Sequence, residues 1–363
     1  MRDRTACLLL LVLCVIVRLP FLRVFDLVTY DGTYYINQAK SMFGAAPAGG
    51  AFPIGYPVFI ALVLPVVRDG VRAAQLVSLL AGLGSVWLVY ALGKTIVSRR
   101  SAFIAAALVA VTPLFVRLSL STLSESLFIF WVLLGLYVFA RGKDLVFGLV
   151  MGLAAVTRPE AVGIFAVLLF WRKRSWKRLA GPLIGFAVLF ATNALILSVT
   201  THRFVLLPKT EFFGTSAARW QAREAWVDFS GREDYEHALE TGHGINLLLD
   251  ATRRFPKELL LLGRHVMPVA LALALYGLFS RRLFILAGLV PFLFYPFFTT
   301  RSEPRYVLPY VPFVILYAVV GLERFRSRRA RMLGIALLVV STAAGLVVNK
   351  SELVTPVSDG YQW

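Results

Sequence analysis

A few ionisable residues stand out because they interrupt otherwise apolar sequence. Asp31 lies in "TYDGTYY", directly after an apolar run. Glu125 opens a second run in "STLSES", and Thr157-Arg158-Pro159-Glu160 splits a third. Arg301, Arg305 and Tyr306 sit together in "TTRSEPRYV", and Arg117 closes "LFVRL". An ionisable group at membrane depth is costly and so is a functional candidate by default. A carboxylate such as Asp31 has the chemistry of a general base, accepting a proton from an attacking alcohol or amine, with Gly32 freeing the backbone beside it. Tyr30, Tyr34 and Tyr35 add aromatic faces and hydroxyls, and Lys40 adds a cation ten residues after Tyr30. Paired guanidinium forks such as Arg301 and Arg305 suit phosphate oxygens.

Plainer structural roles compete for the same residues. Asp31 suits the N-cap of a helix starting near Gly32. Thr122-Leu123-Ser124-Glu125 fits a capping box, with Thr122 as the cap and Glu125 three residues on. Arg158 is harder to explain as a cap, because a buried guanidinium needs an anion: Glu160 or Glu125, or a ligand phosphate. His202, Lys209, His237 and His243 are isolated, and their spacing makes no metal site.

The elements that must position these groups are membrane helices. The chain has 363 residues, 58% hydrophobic and 16% charged, with the charges clustered between long apolar runs. That composition marks an integral membrane protein. The net charge of +18 does not imply nucleic acid: 19 of the 38 Lys and Arg fall in short loops at the N-terminus and at 94–100, 141–143, 172–178, 281–282 and 324–331. Assigning those loops to the cytoplasm gives about eleven crossings, with the N-terminus inside and the polar loops carrying Asp31, Glu125, Arg158 and Arg301 facing outward. Cys7 and Cys14, the only cysteines, are too far apart along one helix to pair.

Spans are expected over 5–25, 72–95, 102–119, 123–140, 179–199, 262–279, 283–299, 306–322 and 331–348. "AFPIGYPVFIALVLPVV" reads as an interfacial or dipping helix, since its prolines and length do not suit an ordinary span. The two pieces flanking Arg158-Pro159 have about a dozen residues each, or roughly 17–20 Å, and read as a short hairpin or broken helices. Three regions follow: 1–199, a transmembrane module with a first outer loop at 26–70; 200–261, an outer hydrophilic loop; and 262–363, C-terminal helices with a short outer tail of about fifteen residues. The fold class is all-α and polytopic. No transporter-like internal repeat is visible, and the polar residues gather at outer helix ends instead of the midplane. This places a transporter or flippase second to an enzyme.

The segments "TYDGTYYINQAKSMF", "GYPVFIALVLPVV", "LSESLFIFWVLLGLY", "GLAAVTRPEAVG" and "EPRYVLPYVPFVILYAVVGL", in this order, resemble the C-type glycosyltransferase superfamily, in particular its bacterial branch similar to protein O-mannosyltransferases and lipid A aminoarabinose transferases. The resemblance implies an inverting hexosyl- or pentosyltransferase in the inner membrane, working at the periplasmic or extracellular face. It implies a polyprenyl-phosphate-linked sugar donor held among membrane lipids, and a glycan, lipid or protein acceptor. Asp31 corresponds to the family's catalytic base and Glu125 to its second outer carboxylate. Tyr34, Tyr35, Lys40, Arg117, Arg158, Glu160, Arg301, Arg305 and Tyr306 are the candidate substrate-binding residues. Many relatives follow the first acid with a second, where this sequence has Gly32; divalent-metal use is left open, and no other cofactor is implied.

Overall fold

The computed structural model describes residues 3–21, 28–44, 52–171, 176–201, 268–277 and 308–348, with positions 256, 260, 262 and 289. All regular structure among them is helical, and no strand occurs. Helix α1 covers Asp3–Arg18 and ends in a 3-10 turn, Leu19–Phe21. It is followed by α2 (Tyr30–Ser41), α3 (Gly55–Val67), α4 (Gly70–Gly93), α5 (Arg99–Val111), α6 (Pro113–Leu118) and α7 (Glu125–Ala140). Then come α8 (Asp144–Thr157), α9 (Ala161–Trp171), α10 (Trp176–Thr201), α11 (Pro268–Gly277), α12 (Val311–Glu323) and α13 (Arg328–Val348).

Three of these, Asp3–Phe21, Gly70–Gly93 and Leu179–Val199, are long and apolar enough to cross a bilayer. Leu8, Ile16, Ile184, Leu195, Leu333 and Val340 stay exposed on α1, α10 and α13, which is the surface that hydrocarbon covers. Helix α4 is the centre of the arrangement and touches α1, α2, α3, α5, α6, α7 and α12. Helix α12 is buried from Val311 to Leu322 without a polar side.

Two proline steps break apolar runs that would otherwise be continuous helices. The expected span over 102–119 is not one helix: α5 stops at Val111, and Pro113 starts α6. A residue before proline is driven out of the helical region, and Thr112 accordingly has ψ 123°. The same rule acts at Arg158, which ends α8 in an extended conformation at φ −150° and ψ 131° ahead of Pro159. The expected hairpin is therefore present as α8 and α9. Helices α8 and α10 run side by side with their backbones nearly in contact. A Cβ on Gly185 would lie 2.6 Å from the Leu145 carbonyl oxygen, and one on Gly152 would lie 3.0 Å from the Leu189 Cβ. Small residues four apart on both helices (Gly148 and Gly152, Gly181 and Gly185) make that approach possible, the usual way membrane helices gain packing without a hydrophobic drive between them.

The segment between α1 and α4 contributes α2 and α3. Gly32, Tyr35, Ile36 and Ala39 line the buried stripe of α2, and the last three pack on Phe52, Tyr56, Ile60 and Ala73. Helix α3, 13 residues long, leaves Leu62 and Val66 exposed and turns into α4 through Arg68, at φ 59°, and the capping residue Asp69. It is too short to cross a bilayer, in keeping with an interfacial position.

Candidate functional site

The site is built at the first turns of α2 and α7 and the C-terminal end of α8. Helix α2 is capped by Thr29, whose hydroxyl accepts the Gly32 N–H at 3.0 Å. Asp31 is therefore not the cap expected from its type. It stands in the first turn, partly exposed, where the helix dipole favours a negative charge. Four residues on, one turn later, Tyr35 is buried between Phe52 and Tyr56, with both rings edge-on at 5.3 and 5.2 Å. Its hydroxyl is 3.2 Å from the Ser124 hydroxyl. Burial pushes the Tyr35 phenol well above the usual tyrosine range, and the negative charges of Asp31 and Glu125 push it in the same direction. Both carboxylates thus act electrostatically on one phenol.

Glu125 is the first residue of α7. Ser124 precedes it with a helical backbone and no capping hydrogen bond, so the expected capping box led by Thr122 does not form. Instead Glu125 is 2% exposed, and its Oε1 pairs with Arg158 Nη1 at 2.8 Å. Its Oε2 makes no hydrogen bond among the described residues. Arg158 bridges two carboxylates: its Nη2 and Nε donate to Glu160 Oε1 at 2.8 and 3.2 Å, while its guanidinium lies over the Phe128 ring at 5.8 Å. The extended backbone forced by Pro159 is what turns this side chain out of the α8 axis and toward α7.

Residues 117–122 are read from sequence as an outer link; the segment from Ser119 to Glu125 is a buried strap. Ser119 accepts from Arg18 Nε at 2.9 Å, and Thr122 Oγ1 accepts the Thr29 N–H at 3.3 Å. The Leu123 carbonyl accepts from Ser78 at 3.1 Å, Ser124 meets Tyr35, and Glu125 meets Arg158. Ser78 in turn shares a hydrogen bond with the Tyr56 hydroxyl, 2.8 Å away. In seven residues the strap ties together α1, α2, α4 and the turn after α8.

The structure thus brings together Asp31, Tyr35, Glu125, Arg158 and Glu160. Tyr34 is half-buried against Phe52 at 5.2 Å. Lys40 is nine residues beyond Asp31, about 13 Å along the axis and half a rotation around it, so α2 holds the two apart. Arg117 is the last but one residue of α6, two residues before Ser119, and is half-buried. Arg301, Arg305 and Tyr306 lie outside the described residues, as do positions 202–255 of the hydrophilic loop. Among the described residues, no group of three or more His, Cys, Asp or Glu could hold a metal ion.

Sequence reasoning missed Arg18, Thr29 and Ser78, and read Thr122 only as a helix cap. Arg18 is buried at the end of α1, giving Nη1 to the carbonyls of Cys14 and Ala110 at 3.2 and 3.3 Å. An arginine within an apolar run was the available signal for it. Thr29 and Ser78 carried none.

Residues 52–198, which hold most of this site, match the family model described as dolichyl-phosphate-mannose-protein mannosyltransferase. The described helices also superpose on solved membrane enzymes. An oligosaccharyltransferase from Archaeoglobus fulgidus, in complex with Zn and sulfate, is similar over 99% of this chain and 54% of its own, at TM-score 0.65 and 14% identity. ArnT from Cupriavidus metallidurans, bound to undecaprenyl phosphate, is similar over 97% and 66%, at TM-score 0.64 and 18% identity. The fold is that of the C-type membrane glycosyltransferases.

A third C-type structure, the oligosaccharyltransferase AglB from Archaeoglobus fulgidus with an inhibitory peptide and a dolichol-phosphate, has TM-score 0.59 at 14% identity, covering 99% of this chain and 56% of its own. The chain spans between 54% and 66% of the length of these three C-type proteins. No curated protein matches it by sequence.

Proposed function

We propose that this chain is a glycosyltransferase that moves a sugar from a polyprenyl-phosphate donor to an acceptor at the outer face of the membrane, with Asp31 as general base. The observation that carries the reading is that Asp31 and Tyr35 share one turn of α2, and the Tyr35–Ser124 hydrogen bond brings that turn beside the Glu125–Arg158–Glu160 cluster, on a fold whose solved members include proteins bound to undecaprenyl phosphate and to dolichol-phosphate. The cell (inner) membrane as location and the outward-facing site follow from the loop charges and belong to the same proposal.

In this scheme an acceptor hydroxyl or amine gives its proton to Asp31 as it attacks the anomeric carbon. The carbon–oxygen bond to phosphate breaks, the electron pair leaves with the polyprenyl phosphate, and attack from the face opposite the phosphate inverts the centre. Asp31 suits the role because it is partly exposed at the α2 terminus and is not needed as that helix's cap. Glu125, fixed by Arg158, supplies a second negative charge that favours the cationic character of the reacting sugar. Arg117, Arg301 and Arg305 are candidates to meet the donor phosphate, and the lipid tail runs between helices.

The test is release of free polyprenyl phosphate from a panel of labelled polyprenyl-phosphate sugars by the purified protein, with mixed acceptors. Wild type is expected to cleave one donor, and Asp31→Asn to lower turnover by about 10²–10⁴ with donor binding retained. Normal turnover by the Asn variant rules out Asp31 as base. If no donor is cleaved but one crosses liposomes, the protein is a transporter.

A further inference from the structure

The strap and the first outer loop meet at one point, and its geometry is unusually tight. Thr122 Oγ1 accepts the Thr29 N–H at 3.3 Å, and the two threonine hydroxyls share a second hydrogen bond of 3.2 Å. Thr29 is at the same time the N-cap of α2, holding the Gly32 N–H. Both threonines are buried, so neither hydroxyl has water as a substitute partner. A Cβ at position 32 would fall on Thr122 Oγ1, within 2.8 Å of Thr122 Cβ and of Thr29 Oγ1. The clasp therefore closes only over glycine. A carboxylate directly after Asp31, as many relatives have, cannot share the site with this threonine pair.

We propose that the Thr29–Gly32–Thr122 clasp is the positioning device of the site, with Thr122 setting the distance between Asp31 and Glu125. Asp31 is flanked by Thr29 and Gly32, both of which the clasp grips. Glu125 follows Thr122 by three residues on the same strap, and its other end is anchored by Arg158. Tyr35 to Ser124 is a second rung between the same two segments. Thr122 touches neither carboxylate in this arrangement; it acts through the α2 terminus. The carboxylate that Arg158 anchors at the start of α7 is thereby held at a fixed spacing from Asp31.

The inference rests on Asp31 being the base, and two readouts separate its failure from the failure of that reading. Thr122→Val keeps the side-chain shape and removes the hydroxyl; Thr122→Ser keeps the hydroxyl. With the donor cleaved by wild type, Thr122→Val should lower kcat by about 10- to 100-fold, as expected for a displacement of an ångström or less, with KM for the donor within about twofold. Thr122→Ser should restore most of kcat, and Gly32→Ala should resemble Thr122→Val. Independently of activity, hydrogen–deuterium exchange of the amides at 32–34 should speed up in Thr122→Val and not in Thr122→Ser. Unchanged kcat in Thr122→Val, equal impairment of the Val and Ser variants, or unchanged exchange overturns the proposal. If wild type cleaves no donor, the enzymatic reading fails and the exchange comparison alone decides whether the clasp holds the α2 terminus.

Discussion

Replacing Arg158 by Met removes the cation that joins Glu125 to Glu160. Its guanidinium makes an ion pair of 2.8 Å with Glu125 and donates two hydrogen bonds, of 2.8 and 3.2 Å, to Glu160, and the residue is only 8% exposed. Withdrawing one partner of a buried pair costs about 3–5 kcal/mol, because the remaining charge stays desolvated. Nearly all of this falls on Glu125, whose side chain is 3% exposed; Glu160, at 34%, recovers solvation and adds little. The expected loss is therefore about 3–5 kcal/mol, on the order of 10²–10⁴ in the folding equilibrium. Adding Glu125→Gln removes the stranded charge while keeping its shape, and should recover at least half of the loss. Equilibrium unfolding by SDS in mixed micelles, followed by helical circular dichroism, measures both variants without reference to activity. A loss under about 1 kcal/mol for the single variant, or a double variant no better than the single, would refute the assignment of Glu125 and Arg158 as a desolvated pair.

Three further outcomes follow from the packing. Gly185→Leu drives a side chain into the Leu145 carbonyl and the Leu149 amide, which are backbone and cannot yield. It should cost at least about 1–3 kcal/mol and be seen as loss of monodisperse protein in size-exclusion chromatography. Thr29→Ala removes the N-cap of α2 and one half of the threonine pair, a loss of about 1–2 kcal/mol, whereas Asp31→Asn should change stability far less; thermal denaturation of both variants checks the contrast. Tyr35→Phe keeps the contacts with Phe52 and Tyr56 but strands the Ser124 hydroxyl. A drop of about 0.5–1.5 kcal/mol in the same unfolding assay is expected.

Much of the helix plan was legible in the sequence because it is local. Apolar runs of span length, proline positions and clustered basic residues depend on neighbours a few positions away, and the α8–α9 hairpin around Arg158-Pro159 was readable for that reason. The break between α5 and α6 obeys the same proline rule, but Thr112-Pro113 sits within a continuous apolar run and was passed over as one span. The caps were ambiguous for a different reason. Thr29 and Asp31 both meet the chemistry of an N-cap, and the choice between them coincides with a contact made 93 residues away, where Thr122 takes the Thr29 N–H.

The sequence by itself determined that the chain is a helical membrane protein and nominated the acidic and basic residues that interrupt its apolar runs, since hydropathy and charge are properties of the residues alone. Only the tertiary structure decided what those residues do to one another. Arg158 faces Glu125 as well as its neighbour Glu160, Lys40 is turned away from Asp31, and a run of serines and threonines becomes the strap that holds the site. Hydrogen bonds and ion pairs between residues 33 to 101 positions apart leave no periodicity to read. They exist only once the helices have packed closely enough to exclude water from the groups that make them.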